Sequence, residues 1–425
     1  MQPLTRKLLL VGWDAADWKV IHPLIEAGKM PTLKWLTEQG AIGNLASLDP
    51  PLSPIMWTSI ATGKTADKHG VVGFTQPRAD GQGIQPVLAN SRKTKALWNI
   101  LMQQGLKTHV IGWWPSHPAE QLNGVCVSNF YHRASAAYGK PWPLAPGAVQ
   151  PERLRDTLAW LRVHPQELTA NHILPFAPDA ASIDPEDPKQ ESHRKLLNSL
   201  AKITAEAATV QAAATWVMDH EPWDFMAVYF DAIDHYSHGF MKFHPPRRPH
   251  IPDDLFERWH GVIEGGYRFH DMMLGQLIRQ AGADTTILLC SDHGFHPDHL
   301  RPTGLPDEPA GPAAEHRHHG ILGMAGPGIA RDSLFYGATL LDVCPTVLTL
   351  FGLPVGRDMD GKPLVQALDR PVEPQVIDSW DDVEGEAGML PEPARRDPWA
   401  EQEALNQLIA LGYVDPPDKD AAKAV

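Results

Sequence analysis

The segment TILLCSDHGF, residues 286–295, says most about how this chain folds. Its first half is an apolar run without a charged residue, which is typical of a strand buried on both faces of a parallel sheet. Asp292 and His293 follow directly, and side chains of both types can bind a metal ion or transfer a proton. The segment therefore predicts a buried strand with chemically active residues at its carboxyl end.

Two other segments have the same form. LLLVGWD at residues 8–14 and FMAVYFD at residues 225–231 are apolar runs that end on an aspartate. Helical patterns lie between the runs, at residues 96–104 and 200–220. This alternation of strands and helices predicts an α/β fold, with a doubly wound, mostly parallel sheet flanked by helices.

A doubly wound sheet binds its ligands beyond the carboxyl ends of its strands. Asp14, Asp234 and Asp292 each follow one of the three predicted strands within a few residues. We therefore expect these carboxylates to meet at one edge of the sheet and to form a shared site.

Length, composition and charge exclude several classes of protein. The 425 residues are 43% hydrophobic, which excludes a disordered chain. The net charge of −14 argues against binding of nucleic acid duplexes, because such binding requires a basic surface. The three cysteines, Cys126, Cys290 and Cys344, are too far apart for a disulfide scaffold or a cysteine-rich zinc module.

The amino-terminal segment predicts neither export nor membrane insertion. Its apolar run at residues 8–13 is too short for the core of a signal peptide or for a membrane span. We therefore expect a cytoplasmic protein with no membrane span.

Composition along the chain predicts three regions. Residues 1–131 and 200–370 form the core, and residues 132–199, rich in proline and alanine, form an inserted cap or a poorly ordered excursion. Residues 371–425 contain 13 acidic and four basic residues. We expect this last region to be a solvated acidic tail with one short helix, near residues 401–411.

A set of carboxylates and imidazoles predicts a metal site. Asp234 and His238 are four residues apart, a spacing that places both on one face of a helical turn. Asp14, Asp292, His293 and His316 add further oxygen and nitrogen ligands. Mixed ligands of this kind favour zinc or manganese over calcium or magnesium.

Each of these features also has a simpler explanation. An aspartate at a strand end is more often a helix cap or a turn residue than a ligand. The histidines at residues 316–319 are also compatible with a polar surface loop. The metal hypothesis depends on the occurrence of the whole set in a consistent strand order.

The segment LDPPLSPIMWTSIATGK, residues 48–64, contains a candidate nucleophile, Ser53. A serine hydroxyl is a weak nucleophile at neutral pH unless a base or a metal ion activates it. The alternative role of Ser53 is an ordinary cap of a helix through residues 57–61. The two roles are compatible, because the start of a helix also attracts anions.

Six motifs together resemble a known family. The sequence is similar to the alkaline phosphatase superfamily, and within it to the branch of type I phosphodiesterases and nucleotide pyrophosphatases. The motifs follow the order of that family and are VGWDAADW (11–18), PPLSPIMWTSIATGKTADKHGVVGF (50–74), YFDAIDHYSHG (229–239), CSDHGF (290–295), EHRHHGILGMAGPGI (315–329) and LDVCPTVLTLFGLPVGRDMDGKPL (341–364). The resemblance implies a metal-dependent phosphoric ester hydrolase that acts on a small-molecule phosphate ester through a covalent phosphoserine.

The resemblance also implies roles for individual residues. The nucleophile of the family stands ten residues before the glycine of a Thr-Gly pair, which here selects Ser53, with Thr58 as the second candidate. Two divalent ions are implied, most simply zinc, with manganese as the other candidate. The first would be bound by Asp234, His238 and His316, with His319 as the rival of His316, and the second by Asp14, Asp292 and His293 with the Ser53 oxygen nearby.

Two departures from related patterns matter. Nucleotide pyrophosphatases carry an asparagine about 21 residues after the nucleophile, and Phe74 is at that position here. Another group, such as the backbone after Ser53, would then have to stabilise the phosphoryl oxygens. Sulfatases need a proline and an arginine where this chain has Ile55 and Trp57, which argues against formylglycine chemistry.

Other functions are compatible with the same residues. The alternatives within the same chemistry are a phosphonate hydrolase and a phosphoryl transferase, because the cap that would select the substrate cannot be interpreted from the sequence. The alternative from another class is a non-catalytic metal-binding scaffold. The sequence leaves the oligomeric state open.

Overall fold

The computed structural model describes residues 2–78, 84–133, 136–184, 186–306 and 311–391, together with residues 402, 405, 406 and 409. The strands within these residues are β1 Leu8–Trp13, β2 Gly40–Ala46, β3 Thr75–Pro77, β4 Ile84–Pro86, β5 Thr108–Ile111, β6 Cys126–Val127, β7 Val149–Gln150, β8 Phe225–Phe230, β9 Thr286–Cys290, β10 Gly294–Phe295, β11 His316–Arg317, β12 His319–Ala325, β13 Ser333–Leu334, β14 Ala338–Thr339, β15 Val355–Gly356 and β16 Val376–Ile377. The α-helices are α1 Trp18–Glu26, α2 Pro31–Gln39, α3 Ser53–Thr62, α4 Ala66–His69, α5 Leu97–Gln103, α6 Arg155–Trp160, α7 Ala170–Ile173, α8 Glu191–His220, α9 Ala232–Phe240, α10 Asp253–Trp259, α11 Val262–Ala281 and α12 Val343–Leu350.

One large sheet organises the molecule. Its strand order is β13-β2-β12-β9-β1-β8-β5-β6-β7, and β14 also pairs with β2. The central strand β1 is parallel to β8 and β9, with Trp13 opposite Phe230 and Gly12 opposite Cys290. The predicted fold class, a mostly parallel sheet flanked by helices, is confirmed.

The two faces of the sheet carry different helices because successive side chains of a strand point to opposite sides. Leu9, Val11 and Trp13 of β1 pack into a core with α8, α9 and α11. Leu8 and Leu10 pack on the other face with residues of α3, α5 and α12. Both faces of β1 are thus buried, as its continuous apolar run predicts.

The predicted elements agree with the structure to within a few residues at most ends. The strands expected at residues 8–13 and 225–230 have those bounds. The third, β9, ends at Cys290, directly before Ser291. The helix expected at 200–220 begins nine residues earlier, at Glu191, so it extends into the predicted cap. Apart from His193, its buried residues lie from Leu200 onward, where the apolar pattern was visible.

The predicted cap and tail both contact the core. In the range 132–199, β7 pairs with β6 and so extends the large sheet, and short helical segments follow. In the tail, Trp380 is buried, and Asp381 accepts a hydrogen bond of 2.6 Å from the buried Lys64 ammonium. The expectation of a solvated segment therefore does not hold for this part of the tail, and the domain boundaries themselves stay predictions.

The helix predicted at residues 401–411 lies largely outside the described residues. Among the helices that are described, none combines the length and the apolar character that crossing a membrane would require.

Candidate metal centre

The candidate ligands come from four places at the carboxyl edge of the sheet. Asp14 follows β1, Asp234 and His238 lie on α9 directly after β8, and Asp292 and His293 follow β9. His316 comes from β11, where pairing of Phe295 with His316 holds it beside the end of β9. The parallel strands and the antiparallel pair β10–β11 therefore bring together residues that are up to 302 positions apart in the chain.

A first group consists of Asp234, His238 and His316. The distance from Asp234 Oδ1 to Nε2 is 3.3 Å for His238 and 3.6 Å for His316. The two Nε2 atoms are 3.2 Å apart. These three atoms form one of the groups that could hold a metal ion.

The other ring nitrogens of these histidines have fixed roles. His238 Nδ1 lies 2.7 Å from Glu315 Oε2, and His316 Nδ1 lies 3.2 Å from the Pro51 carbonyl oxygen. A carbonyl can only accept, and an ionised carboxylate likewise, so both Nδ1 atoms donate. Each neutral ring then carries its lone pair on Nε2, as metal coordination requires.

A second group lies against the first. His293 Nε2 is 3.1 Å from Asp14 Oδ1 and 3.6 Å from Asp292 Oδ2. Atoms of Asp14, Asp234 and His293 all lie within 4.8 Å of one another, so Asp234 adjoins both groups. The rings of His293 and His316 are stacked with their centroids 3.8 Å apart.

The buried polar atoms that form no hydrogen bond indicate whether metal ions fit this cluster. Asp14 Oδ1, Asp234 Oδ1, Asp292 Oδ2 and His293 Nε2 are buried and form no hydrogen bond within the described residues. Buried polar atoms without a partner are rare and costly. Ligand atoms about 2.0–2.1 Å from a tetrahedral zinc ion are about 3.3 Å apart, and the separations here are 3.1–3.6 Å. The residues therefore fit a pair of zinc-sized cations.

The pKa shifts of Asp292 and His293 also indicate that the cluster lacks positive charge. Burial, reinforced by Asp14, raises the pKa of Asp292 well above its usual value. Burial alone would lower the pKa of His293, but Asp292 and Asp14 outweigh it and raise that pKa to about 10. Protons thus compensate the carboxylates where a dication would otherwise do so.

Ser53 is the first residue of α3 and is buried. Two neighbours tie this end of the helix to both ligand groups: the Pro51 carbonyl oxygen accepts from His316, and Trp57 Nε1 donates to Asp14 Oδ2 over 3.0 Å. The hydroxyl of Thr58 instead donates to the Pro54 carbonyl inside the helix over 2.7 Å. The start of α3, where Ser53 lies, therefore contacts both groups, whereas the Thr58 hydroxyl is used inside the helix.

The backbone after Ser53 does not provide the expected oxyanion donor. Residue 54 is a proline and has no N–H, and the N–H groups of Ile55 and Met56 donate to the Leu52 carbonyl. Phe74 packs against Trp114 with ring centroids 5.5 Å apart and offers no polar group. The phosphoryl oxygens of a substrate therefore depend on other groups.

The sequence reasoning missed three supporting residues: Tyr229, Trp57 and Glu315. Tyr229 donates from its hydroxyl to Asp14 Oδ2 over 2.6 Å, beside the Trp57 bond to the same oxygen. Glu315 orients His238. The position of Tyr229 next to the end of an identified strand was a usable signal, whereas Glu315 had none. His319, the rival of His316, is exposed and lies in the β12 ladder opposite Ala46.

Most of the chain matches the profile of one protein family. The profile described as "Type I phosphodiesterase / nucleotide pyrophosphatase" matches residues 8–301. No curated protein sequence matches the chain.

Several solved structures are similar to this chain at low sequence identity. Wild-type alkaline phosphatase PafA superposes with a TM-score of 0.55 and 10% identity, over 87% of this chain and 99% of PafA. An inactive murine ectonucleotide pyrophosphatase/phosphodiesterase 5 in complex with AMP gives 0.48 and 11%, over 86% of this chain and 100% of that one. Phosphonoacetate hydrolase from Sinorhizobium meliloti gives 0.43 and 18%, over 70% of this chain, which spans 58% of that hydrolase.

Proposed function

Because the chain belongs to the type I phosphodiesterase and nucleotide pyrophosphatase family, and is thus a phosphoric ester hydrolase, we propose that it acts through Ser53 with two divalent metal ions. The observation that carries this proposal is the set of buried ligand atoms without partners around the start of α3. Zinc is the preferred ion, with manganese as the other candidate, because the ligands combine imidazole nitrogens with carboxylate oxygens.

Asp234, His238 and His316 would hold the first ion, and Asp14, Asp292 and His293 the second. When bound, such ions lower the pKa of a coordinated hydroxyl or water and polarise the phosphoryl oxygens. Glu315 and Pro51 keep two of the imidazoles in the tautomer that ligation needs. Tyr229 and Trp57 fix one oxygen of Asp14, so that its other oxygen is directed at the cluster.

Ser53 performs the covalent step in this proposal. Its Oγ attacks phosphorus in line with the ester oxygen, the P–O bond to the leaving alcohol breaks, and a phosphoserine forms. A water molecule then attacks the phosphoserine from the side that the alcohol has left, which releases phosphate or a phosphate monoester and restores the hydroxyl. The burial of Ser53 limits the access of bulk water to the reacting hydroxyl.

The direct test compares Ser53→Ala and Asp292→Ala with Thr58→Val in the hydrolysis of aryl phosphate mono- and diesters. The first two variants should lose at least about a thousandfold in kcat/KM. Thr58→Val should retain activity within about tenfold, since its hydroxyl is used inside the helix. Full activity in both Ser53→Ala and Asp292→Ala would overturn the proposal.

A non-catalytic metal-binding scaffold would respond differently. It would bind two ions per chain and show no turnover of any ester, with the ligand variants changing metal content alone. Phosphonate hydrolysis or phosphoryl transfer on the same site would appear as turnover of phosphonates, or as transfer to an added alcohol, that Ser53→Ala abolishes. The cytoplasmic location and the absence of duplex binding stay predictions.

A further inference from the structure

A group of basic side chains lies beside the metal cluster and takes no part in it. Asp231, the residue directly after β8, is buried and has three basic neighbours. His132 Nε2 lies 3.5 Å from one of its oxygens, Arg133 Nη2 4.0 Å and His235 Nδ1 4.0 Å. Each distance is longer than that of a charge-assisted hydrogen bond. One carboxylate therefore faces three basic side chains at a distance.

The side chain of Arg133 is buried, and one of its nitrogens has no hydrogen bond within the described residues. The residue is 9% exposed, and its Nε is buried without a hydrogen bond. Within the described residues its guanidinium has one carboxylate near it, that of Asp231, at 4.0 Å. Both ring nitrogens of His132 are likewise buried without hydrogen bonds.

Such a guanidinium is unusual, because it presents a rigid fork of donors that normally pairs with a carboxylate or a phosphate. Buried polar groups nearly always have partners. Among the described residues Asp231 is too far away to pair closely with Arg133, and a partner that suits its donors is an oxyanion with two acceptor oxygens.

The sheet fixes where this cluster lies relative to the metal cluster. β8 is the neighbour of β1, and the Asp14 N–H donates to the Phe230 carbonyl over 3.0 Å. Asp231 is therefore about one strand spacing, about 4.8 Å, from Asp14. Arg133 follows β6, which lies two strands further from β1 than β8 does. An anion at Arg133 would thus sit beside the metal cluster, on the side of β1 away from β9.

We propose that Arg133, positioned with His132 next to Asp231, binds a second acidic group of the substrate, adjacent to the phosphoryl group that reacts. The preferred substrates are then phosphate esters that carry a carboxylate near the reacting phosphorus. This assignment rests on the proposed function, since it takes the metal cluster as the position of the reacting group.

The test measures dissociation constants by calorimetry on the zinc-loaded full chain. The probes are methylphosphonate and a series of phosphonoalkanoates with one to three methylene groups, each with its uncharged carboxamide as a matched partner. At least one carboxylate should bind about tenfold more tightly than its amide, as expected for a charge-assisted pair. In Arg133→Gln that ratio should fall to about one, and in Arg133→Lys to an intermediate value.

The ratio of the two dissociation constants separates a binding role of Arg133 from a structural one, because a distorted site would weaken the binding of the acid and of the amide alike. Arg357→Gln, which changes an exposed arginine paired with Asp378, should keep the wild-type ratio. If Arg133→Gln does not fold, a wild-type ratio in Arg133→Lys overturns the subsite. An unchanged ratio in Arg133→Gln, or no preference for any acid in the wild type, does the same. Failure of methylphosphonate itself to bind would overturn the proposed function instead.

Discussion

Two buried charged clusters of this protein differ in how their polar atoms are satisfied. In the first, Glu120 Oε1 accepts from Arg92 Nη2 over 2.7 Å, and Glu120 Oε2 accepts from Trp98 Nε1 over 2.6 Å. In the second, at the carboxyl edge of the sheet, oxygens of Asp14, Asp234 and Asp292 are buried with no hydrogen bond in the described part of the chain.

The difference indicates what each cluster does. A fully paired cluster such as that of Glu120 is complete without a ligand and holds α5 to the loop before β6. The aspartate cluster repels itself unless cations or protons enter it. Burial of charge is therefore not enough to mark a functional site, whereas several buried carboxylates that lie together and lack hydrogen bonds indicate one here.

The largest effect should come from Asp234, which adjoins both ligand groups. Asp234→Asn should lower kcat/KM for an aryl phosphate ester by about a thousandfold or more, because it weakens the binding of both ions. Glu120→Gln, measured on folded protein, should stay within about threefold of the wild type. Comparable losses in the two variants would remove the distinction between the clusters.

The next prediction concerns stability. Here the Glu120 variant should lose more than the variant of the aspartate cluster. Glu120→Gln leaves the buried Arg92 without its charge partner and should lower the free energy of unfolding by about 3 kcal/mol. Asp292→Asn in metal-free protein should cost less than about 1 kcal/mol, since burial and Asp14 already raise the pKa of this carboxyl. Urea denaturation with a chelator present measures both values, and equal losses would contradict the comparison.

A smaller effect should follow from Tyr229→Phe, which removes one of the two hydrogen bonds to Asp14 Oδ2. Such orienting partners contribute about 10- to 100-fold in metal affinity. Competition with a fluorescent chelator should therefore show weaker binding of one of two ions. Unchanged affinity for both ions would show that Trp57 alone orients Asp14.

The smallest effect concerns a buried histidine outside both clusters. Burial lowers the pKa of His270 to about 4, below its unfolded value of about 6.5. The unfolded chain then binds more protons between these pH values, so the free energy of unfolding falls as the pH drops through this window. By pH 5.5 this amounts to about 1 kcal/mol relative to pH 8.

His270→Phe keeps an aromatic ring among Trp13, Phe230 and Tyr236 and cannot titrate. Its unfolding free energy should therefore depend less on pH than that of the wild type over the same range. Equal pH dependence in thermal or urea denaturation would show that His270 is already charged or accessible in the folded protein.

The sequence predicted both the fold and the site where an aspartate follows an apolar run at the end of a strand. The apolar runs before Asp14 and Asp292 predicted both the central strands and the edge at which these residues meet. The spacing of Asp234 and His238 likewise predicted one face of a helical turn, and α9 provides it.

Other contacts were not predictable, because they join residues that share no local pattern. The sharing of Asp234 between two groups depends on how α9 follows β8, and the bond between Glu315 and His238 joins positions 77 residues apart. The burial of Trp380 depends on contacts of the tail with Lys64 and Lys95. A net acidic composition gives no sign of such specific pairing.

The central claim is that the buried carboxylates and imidazoles of this cluster hold two metal ions that Ser53 chemistry requires. The most direct measurement is the number of zinc ions bound per chain, after equilibration and desalting, in the wild type, His316→Ala and His293→Ala. The account predicts two ions in the wild type and one in each variant. A wild-type chain that binds no zinc or manganese, or variants that keep both ions, would contradict it.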